Sequence, residues 1–233
     1  AGKQVVASIE LFARFDEEAN VELAAQLEEA GAHVVYGVMG YKVHAKILAI
    51  VRREGTEIKH YLHLGTGNYH QTTAKIYTDF GLLTTNPRMA SDVDNIFNQI
   101  TGVGKSGVLN ELFQSPFTLH DMVMKGIERE TYNALNGEKA EIIAKMNSLV
   151  ENQVIRALYI ASQAGVKITL IVRGACALRP QLAGVSDNII VKSVVGRFLE
   201  HHRIFYFHDS GNENVFIASA DWMNRNFFKR VET

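Results

Sequence analysis

Residues 41–50 read YKVHAKILAI. Val43, Ala45 and the run from Ile47 to Ile50 give the stretch the character of a buried strand, which His44 and Lys46 interrupt. Side chains two positions apart on a strand project from one face, so an imidazole and an ammonium would stand there together. A second stretch, EHHRIFYFHD at 200–209, sets His201 and Arg203 at the same spacing. Each pair is followed by a hydrophilic turn and another strand-like run, YLHLGTGN at 61–68 and VFIASADW at 215–222.

The parts upstream repeat as well. VVASIELFARF at 5–15 reads as a strand, and Asp16, Glu17 and Glu18 then suit the positive end of a helix dipole. Ala19, Leu23, Leu27 and Ala30 recur at helical spacing until Gly31, and AHVVYGV is the next strand. In the second half AEIIAKMN at 140–147 is the strand, and Ser148 to Glu151 has capping-box spacing. Val154, Ala157, Leu158 and Ala161 form the apolar stripe, Gly165 closes the helix, and VKITLIVRG follows. An insertion over roughly 174–195 precedes the second His-x-Arg, and further helical spacing runs over Asp92–Ile100 and 121–136. Strands alternating with helices predict an α/β fold of two pseudo-symmetric domains, 1–108 and 109–233, each a mixed sheet flanked by helices. The boundary falls near TGVGKSG at 101–107. GVGKS imitates a phosphate-binding loop, but that motif needs a glycine at position 99, which is Gln99, and a preceding strand. It reads as a linker.

The 233 residues are 47% hydrophobic and 21% charged, which is ordinary globular material and excludes a disordered or fibrous chain. No apolar run approaches the length of a membrane span and no signal peptide is seen. Cys176 is the single cysteine, so it forms no internal disulfide and fits a reducing cytoplasm. The net charge of −1 gives no case for a nucleic-acid partner, so any anion site must be a local cluster. Both ends look cut, which predicts an excised piece of a longer protein, its second domain truncated at the C-terminus.

A duplicated His-x-Lys/Arg in two related halves suggests one site shared between them. Phosphoryl transfer through a phosphohistidine suits it. Imidazole is nucleophilic only when neutral, and its reference pKa near 6.5 leaves it mostly neutral at pH 7. Adjacent cations lower that pKa and neutralise the oxygens of a phosphoryl group in transit. The second histidine can exchange a proton with the bridging oxygen. A lone pair of this kind is more often structural; its repetition at corresponding places makes catalysis an equal reading. His33, His60, His63, His70, His120, His202 and His208 follow no metal-ligand spacing and read as packing or surface residues.

VHAKILAIVRREG, YLHLGTGNYHQTTAKIYTDFGLLT, GRFLEHHRIFYF and SADWMNRN together resemble the C-terminal catalytic half of the phosphohistidine-dependent bacterial polyphosphate kinase family. That family has the phospholipase D-like fold, with signature H-x-K-x4-D-x6-G-S-x-N. His44, Lys46 and a G-T-G-N turn ending at Asn68 match it, while Val51 stands where the signature has Asp and Arg203 replaces the second Lys. The resemblance implies that His44 is the phosphorylated nucleophile, with His201 its partner and an ATP contact. It implies that Tyr77 and Arg173 contact the nucleotide, and that Arg14 belongs to the magnesium–phosphate site. A guanidinium offers no lone pair to a metal, so Arg14 would grip phosphate oxygens that Mg²⁺ also holds. Lys46, Arg203 and Asn68 complete the expected catalytic set.

The implied activity is reversible transfer of the ATP γ-phosphoryl group to polyphosphate, with Mg²⁺ as cofactor and ATP/ADP as substrate. The intact protein is expected to be a homo-oligomer, cytoplasmic or peripheral at the inner membrane. Two rivals stay open: a phospholipase D-like phosphodiesterase or nuclease, which Val51 disfavours, and a non-catalytic anion-binding module. The 233-residue piece is expected to fold yet make polyphosphate poorly or not at all, because domains before it would close the site.

Overall fold

The computed structural model describes residues 2–10, 17–38, 40–102 and 107–233. The first half contains β1 (Val6–Ser8), α1 (Glu17–Glu29), β2 (His33–Val35), β3 (Lys42–Val43), β4 (Lys46–Glu54) and β5 (Glu57–Gly65). It continues through α2 (Gln71–Ile76), β6 (Tyr77–Thr78), β7 (Gly81–Thr84) and α3 (Pro87–Ile100). The second half has α4 (Leu119–Leu135), β8 (Glu141–Met146), α5 (Asn152–Gln163), β9 (Lys167–Val172) and β10 (Ile189–Lys192). Then come β11 (Leu199–Glu200), β12 (Arg203–Phe207), β13 (Asn214–Ala218), α6 (Asn224–Phe228) and β14 (Arg230–Val231). The architecture is mixed α/β, as the alternation of patterns predicts.

The second half holds the larger core. Its sheet runs β10-β9-β8-β12-β13, parallel among the first three strands and antiparallel beyond them. Ile142, Ala144 and Met146 alternate inward on β8, as do Ile168, Leu170 and Val172 on β9 and Phe205 and Phe207 on β12. Val123 and Ile127 of α4 and Val154, Leu158 and Ala161 of α5 join the same cluster. Gly126 lets α4 approach: a Cβ there would lie 2.7 Å from the Phe207 ring. Gly126→Ala therefore sets a helix-propensity gain of about 1 kcal/mol against an overpacking cost of about 1–3 kcal/mol. Urea denaturation is expected to show a net loss of up to about 2 kcal/mol.

In the first half the strands divide between a parallel pair, β1-β2, and an antiparallel sheet, β4-β5-β7. Leu62 and Leu64 of β5 pack on Ala90 and Val93 of α3. The helix starts earlier than its apolar spacing suggests, with Asn86 capping the N–H groups of Arg88 and Met89 and Pro87 in the first turn. Buried Asp92 on α3 accepts backbone N–H bonds from Asn110, Glu111 and Leu112, fixing the chain where it returns toward the second half.

Two further strand pairs join the halves. β3 lies parallel to β14, and β11 lies parallel to β6. One local expectation is corrected here. Glu151 is itself the N-cap of α5, accepting from Val154 N–H at 2.7 Å, so Ser148 starts no capping box. Leu149 instead bridges to Cys176 and Trp222, which keeps that stretch extended. The closing FFKRVET is a helix end followed by a two-residue strand.

Candidate active site

His44 does not lie within a strand. It stands, with Ala45, in the break between β3 and β4, and His201 stands with His202 in the matching break between β11 and β12. The breaks arise because each short strand pairs with the opposite half. The backbone N–H groups of His44 and Ala45 both donate to the Val231 carbonyl, at 2.9 and 3.0 Å. Those of His201 and His202 donate to Thr78, at 3.2 and 3.0 Å. The next residue on each partner strand is an acid. Glu232 places Oε2 2.8 Å from His44 Nδ1, and Asp79 places its carboxylate oxygens 2.8 and 3.0 Å from His201 Nδ1. Each half thus lends the other a two-residue strand and a carboxylate. With a carboxylate as acceptor, Nδ1 carries the proton and Nε2 holds the lone pair.

The acids are themselves held. Ser219 Oγ and Asn226 Nδ2 donate to the two oxygens of buried Glu232, each at 2.5 Å. Thr66 Oγ1 donates to Asp79 at 2.7 Å. Thr66 belongs to the G-T-G-N turn and Ser219 to the corresponding A-S-A-D, 218–221. Gly67 backs Asp79 so closely that a Cβ would meet Oδ2 at 2.2 Å. Of the G-T-G-N turn, then, Thr66 orients the site through Asp79, whereas Asn68 is exposed on the rim of the cavity beside His44.

Lys46 and Arg203 occupy equivalent places as the first residues of β4 and β12. Both are buried, and each donates to the carbonyl of the histidine two residues before it. Arg203 also forks onto Asp221, with Nε and Nη2 each 3.2 Å from an oxygen, and reaches the Thr66 carbonyl. Its Nη1 is 3.4 and 3.2 Å from the two ring nitrogens of His201, too near both to lie in the ring plane, so the guanidinium covers the imidazole face.

Burial sets the protonation of the first centre. It pushes His44 below the usual histidine value, against the pull of Glu232 and with help from the charges of Lys46 and Arg230. Burial would raise Glu232, but its bond to His44 and the charges of His44 and Lys46 hold it below the usual range. Lys46 falls to about 7, chiefly through burial; Glu232 and Asp79 oppose that fall, while Arg203 and Arg230 add to it. The reach of Arg203 and Asp79 to Lys46 joins the two histidine centres in one electrostatic cluster. Because the folded chain then holds this proton less tightly than the unfolded one, stability should rise with pH from about 7 toward the ordinary lysine range near 10. Urea midpoints at pH 7 and 9 are expected to differ in that direction, and Lys46→Met should flatten the difference.

The Tyr77 ring tilts against His201, with centroids 5.0 Å apart. Arg173 Nε donates to Asn147 Oδ1 at 2.9 Å, and Asn147 Nδ2 donates to the His201 carbonyl at 3.2 Å. Tyr77 and Arg173 line a cavity of about 500 Å³ with Arg197 and Phe198. His44 and Lys46 open on another of about 460 Å³, bordered by Asn68 and Arg230. Arg14 lies outside the described residues, as does most of the GVGKS linker. Among the described residues no group of three His, Cys, Asp or Glu side chains could hold a metal ion. His202 packs edge-on against Phe80 and His120 against Phe227 and Phe228, in keeping with packing roles. Asp79, Glu232, Asn147 and Asp221 escape a reading of the sequence.

The chain matches the family models described as polyphosphate kinase C-terminal domain 1, over residues 1–106, and polyphosphate kinase C-terminal domain 2, over residues 112–233. It is 62% identical, over its whole length, to a polyphosphate kinase of Neisseria meningitidis serogroup B, covering 34% of that protein. A polyphosphate kinase of Paraburkholderia phytofirmans is 59% identical over 99% of the chain, again with 34% of the relative covered. The chain therefore spans about a third of the length of the curated relatives it matches. The crystal structure of a polyphosphate kinase from Porphyromonas gingivalis superposes with a TM-score of 0.90 at 40% identity, over 99% of this chain and 35% of that one.

Proposed function

This chain belongs to the polyphosphate kinase family, and on that footing we propose that it carries the centre for reversible phosphoryl transfer between ATP and inorganic polyphosphate. The observation that carries this reading is the pair of carboxylate-held histidines, each completed by the opposite half. The Nε2 lone pair of His44 attacks the γ-phosphorus of Mg·ATP. The bond to the β,γ-bridging oxygen breaks, its electron pair leaves with ADP, and phosphohistidine remains. A terminal oxygen of the polyphosphate chain then attacks the same phosphorus, the N–P bond breaks, and Nε2 recovers its pair. Both partners occupy in turn the position opposite Nε2, as in-line displacement demands.

Glu232 balances the positive charge that the ring acquires on phosphorylation, and keeps the proton on Nδ1 so that Nε2 is the attacking atom. His201, with Nδ1 bound to Asp79, moves a proton to or from the oxygen that leaves or attacks. Arg203 supplies positive potential in a site where burial strengthens it, and Lys46 adds to it in its protonated form, which a phosphoryl group arriving beside it favours. Tyr77 and Arg173 border the cavity that suits the nucleotide. Mg²⁺, when bound, would be held through phosphate oxygens that Arg14 would also grip, and would supply charge neutralisation there; no group of three His, Cys, Asp or Glu among the described residues could hold it. In the same reading the intact protein is a homo-oligomer, cytoplasmic or peripheral at the inner membrane.

The test is a pulse and chase with the intact protein. Label from γ-³²P-ATP should become acid-labile and base-stable on the protein, return to ATP when ADP is added, and pass to polyphosphate when the chain is added. Label that neither acceptor removes would rule the reading out.

A further inference from the structure

Three cations act on the His44 centre: Lys46, Arg203 and Arg230. Two are committed to the protein. The Lys46 ammonium donates to the His44 carbonyl, and Arg203 spends its donors on Asp221, Thr66 and His201. Arg173, beside the other cavity, bonds Asn147 through Nε. Arg230 differs. Among the described residues its guanidinium makes no hydrogen bond, and the ion pair to Glu232 Oε1 is 3.9 Å long. That oxygen already accepts from Asn226 at 2.5 Å. The side chain is 19% exposed and borders the cavity on which His44 opens.

The fold explains why an arginine stands there. Arg230 opens β14 as Tyr77 opens β6, and each lies two residues before the acid that holds a histidine. Tyr77 sets an aromatic ring beside His201, where a nucleoside could lie. The equivalent position at His44 carries a charged fork, which a base has no use for and a phosphoryl group does. A guanidinium is planar, always charged and able to meet two phosphate oxygens at once.

We propose that Arg230 is a further catalytic residue, whose uncommitted N–H groups clamp the non-bridging oxygens of the phosphoryl group as it moves onto and off His44. This rests on the phosphohistidine reading above. It gives the contact with the transferring group to Arg230 rather than to Arg203, each of whose three nitrogens already bonds the protein. The clamp would act on a trigonal phosphoryl group more strongly than on bound ATP, so its loss should fall on the rate and spare nucleotide affinity.

The experiment compares wild type, Arg230→Gln and Arg230→Lys in the intact protein, by single-turnover labelling from γ-³²P-ATP over a range of ATP concentrations. For Arg230→Gln the saturating rate should fall about 10²–10³-fold with the half-saturating ATP concentration within about threefold of wild type. Arg230→Lys, which keeps the charge facing Glu232 but loses the fork, should fall in between. Added guanidinium should restore part of the Arg230→Gln rate, which a purely structural defect would not allow. Should Arg230→Gln fail to fold, Arg230→Lys decides alone by the same split of rate from affinity. Wild-type labelling rates in the folded variants, or a loss wholly in ATP affinity, would overturn the proposal while leaving the phosphohistidine reading intact. If wild type itself takes no label on His44, both fall together.

Discussion

His44→Ala in the intact protein is expected to abolish ATP-dependent phosphoenzyme and, with it, polyphosphate synthesis. The substitution removes the nucleophile, and the groups that touch it cannot take its place: Lys46 donates to a carbonyl, and Glu232 is buried among Ser219, Asn226 and His44 itself. His201→Ala acts otherwise. It takes away a proton exchange worth about 10²–10⁴-fold, so turnover should fall by that order while some label still reaches His44. Filter-binding of labelled protein alongside polyphosphate formation separates the two variants. Wild-type labelling of the His44 variant would move the nucleophile, and the comparable setting of His201 would make that residue the next to try.

Glu232→Gln is expected to have the second-largest effect. The amide matches the carboxylate in size, so the bonds from Ser219 and Asn226 constrain which way it points. Whatever its orientation, the negative charge facing His44 and Lys46 is gone. If the amide nitrogen turns to His44, it donates to Nδ1 and drives the proton to Nε2, the wrong tautomer for attack. By analogy with the carboxylate-to-amide change in a serine-protease triad, the labelling rate should drop by roughly 10³–10⁴-fold. Stability should suffer too. A carboxylate whose folded pKa lies below its unfolded value contributes stability above the unfolded value and loses it as pH falls through the folded one. The variant should therefore be less stable than wild type near pH 7, and the gap should close in acid. Equal labelling rates for wild type and Glu232→Gln would remove the acid from the mechanism.

The contrast between what the sequence discloses and what it conceals follows from distance along the chain. His44-x-Lys46 and His201-x-Arg203 are local spacings, readable at once because two residues of the same type recur in the same order of parts. The helices α4 and α5 and the strands β8 and β9 declare themselves by periodicity, since each buries one face against a common core. The acids do not. Glu232 is 188 residues from His44 and Asp79 is 122 from His201, and both arrive on strands of two residues, too short for any periodicity. Their signal, faint in retrospect, is that Tyr77-Thr78-Asp79 and Arg230-Val231-Glu232 are both short steps ending in an acid. The same cross-half pairing interrupts the strands around His44 and His201, a break that local hydrophobicity cannot reveal because the partner is remote. Ser148 misleads for a related reason: Leu149 bridges to Cys176 and Trp222, and that remote pairing outweighs a plausible local cap.

The attacking atom is Nε2 of His44, left free because Glu232 holds Nδ1 at 2.8 Å. The direct measurement is to phosphorylate the intact protein with ATP, digest it under alkaline conditions, and locate and type the phosphohistidine by mass spectrometry and ³¹P NMR. The predicted result is a single acid-labile phosphate on His44, bonded through Nε2. Phosphate on Nδ1 of His44, or on another residue with His44 unmodified, would contradict it.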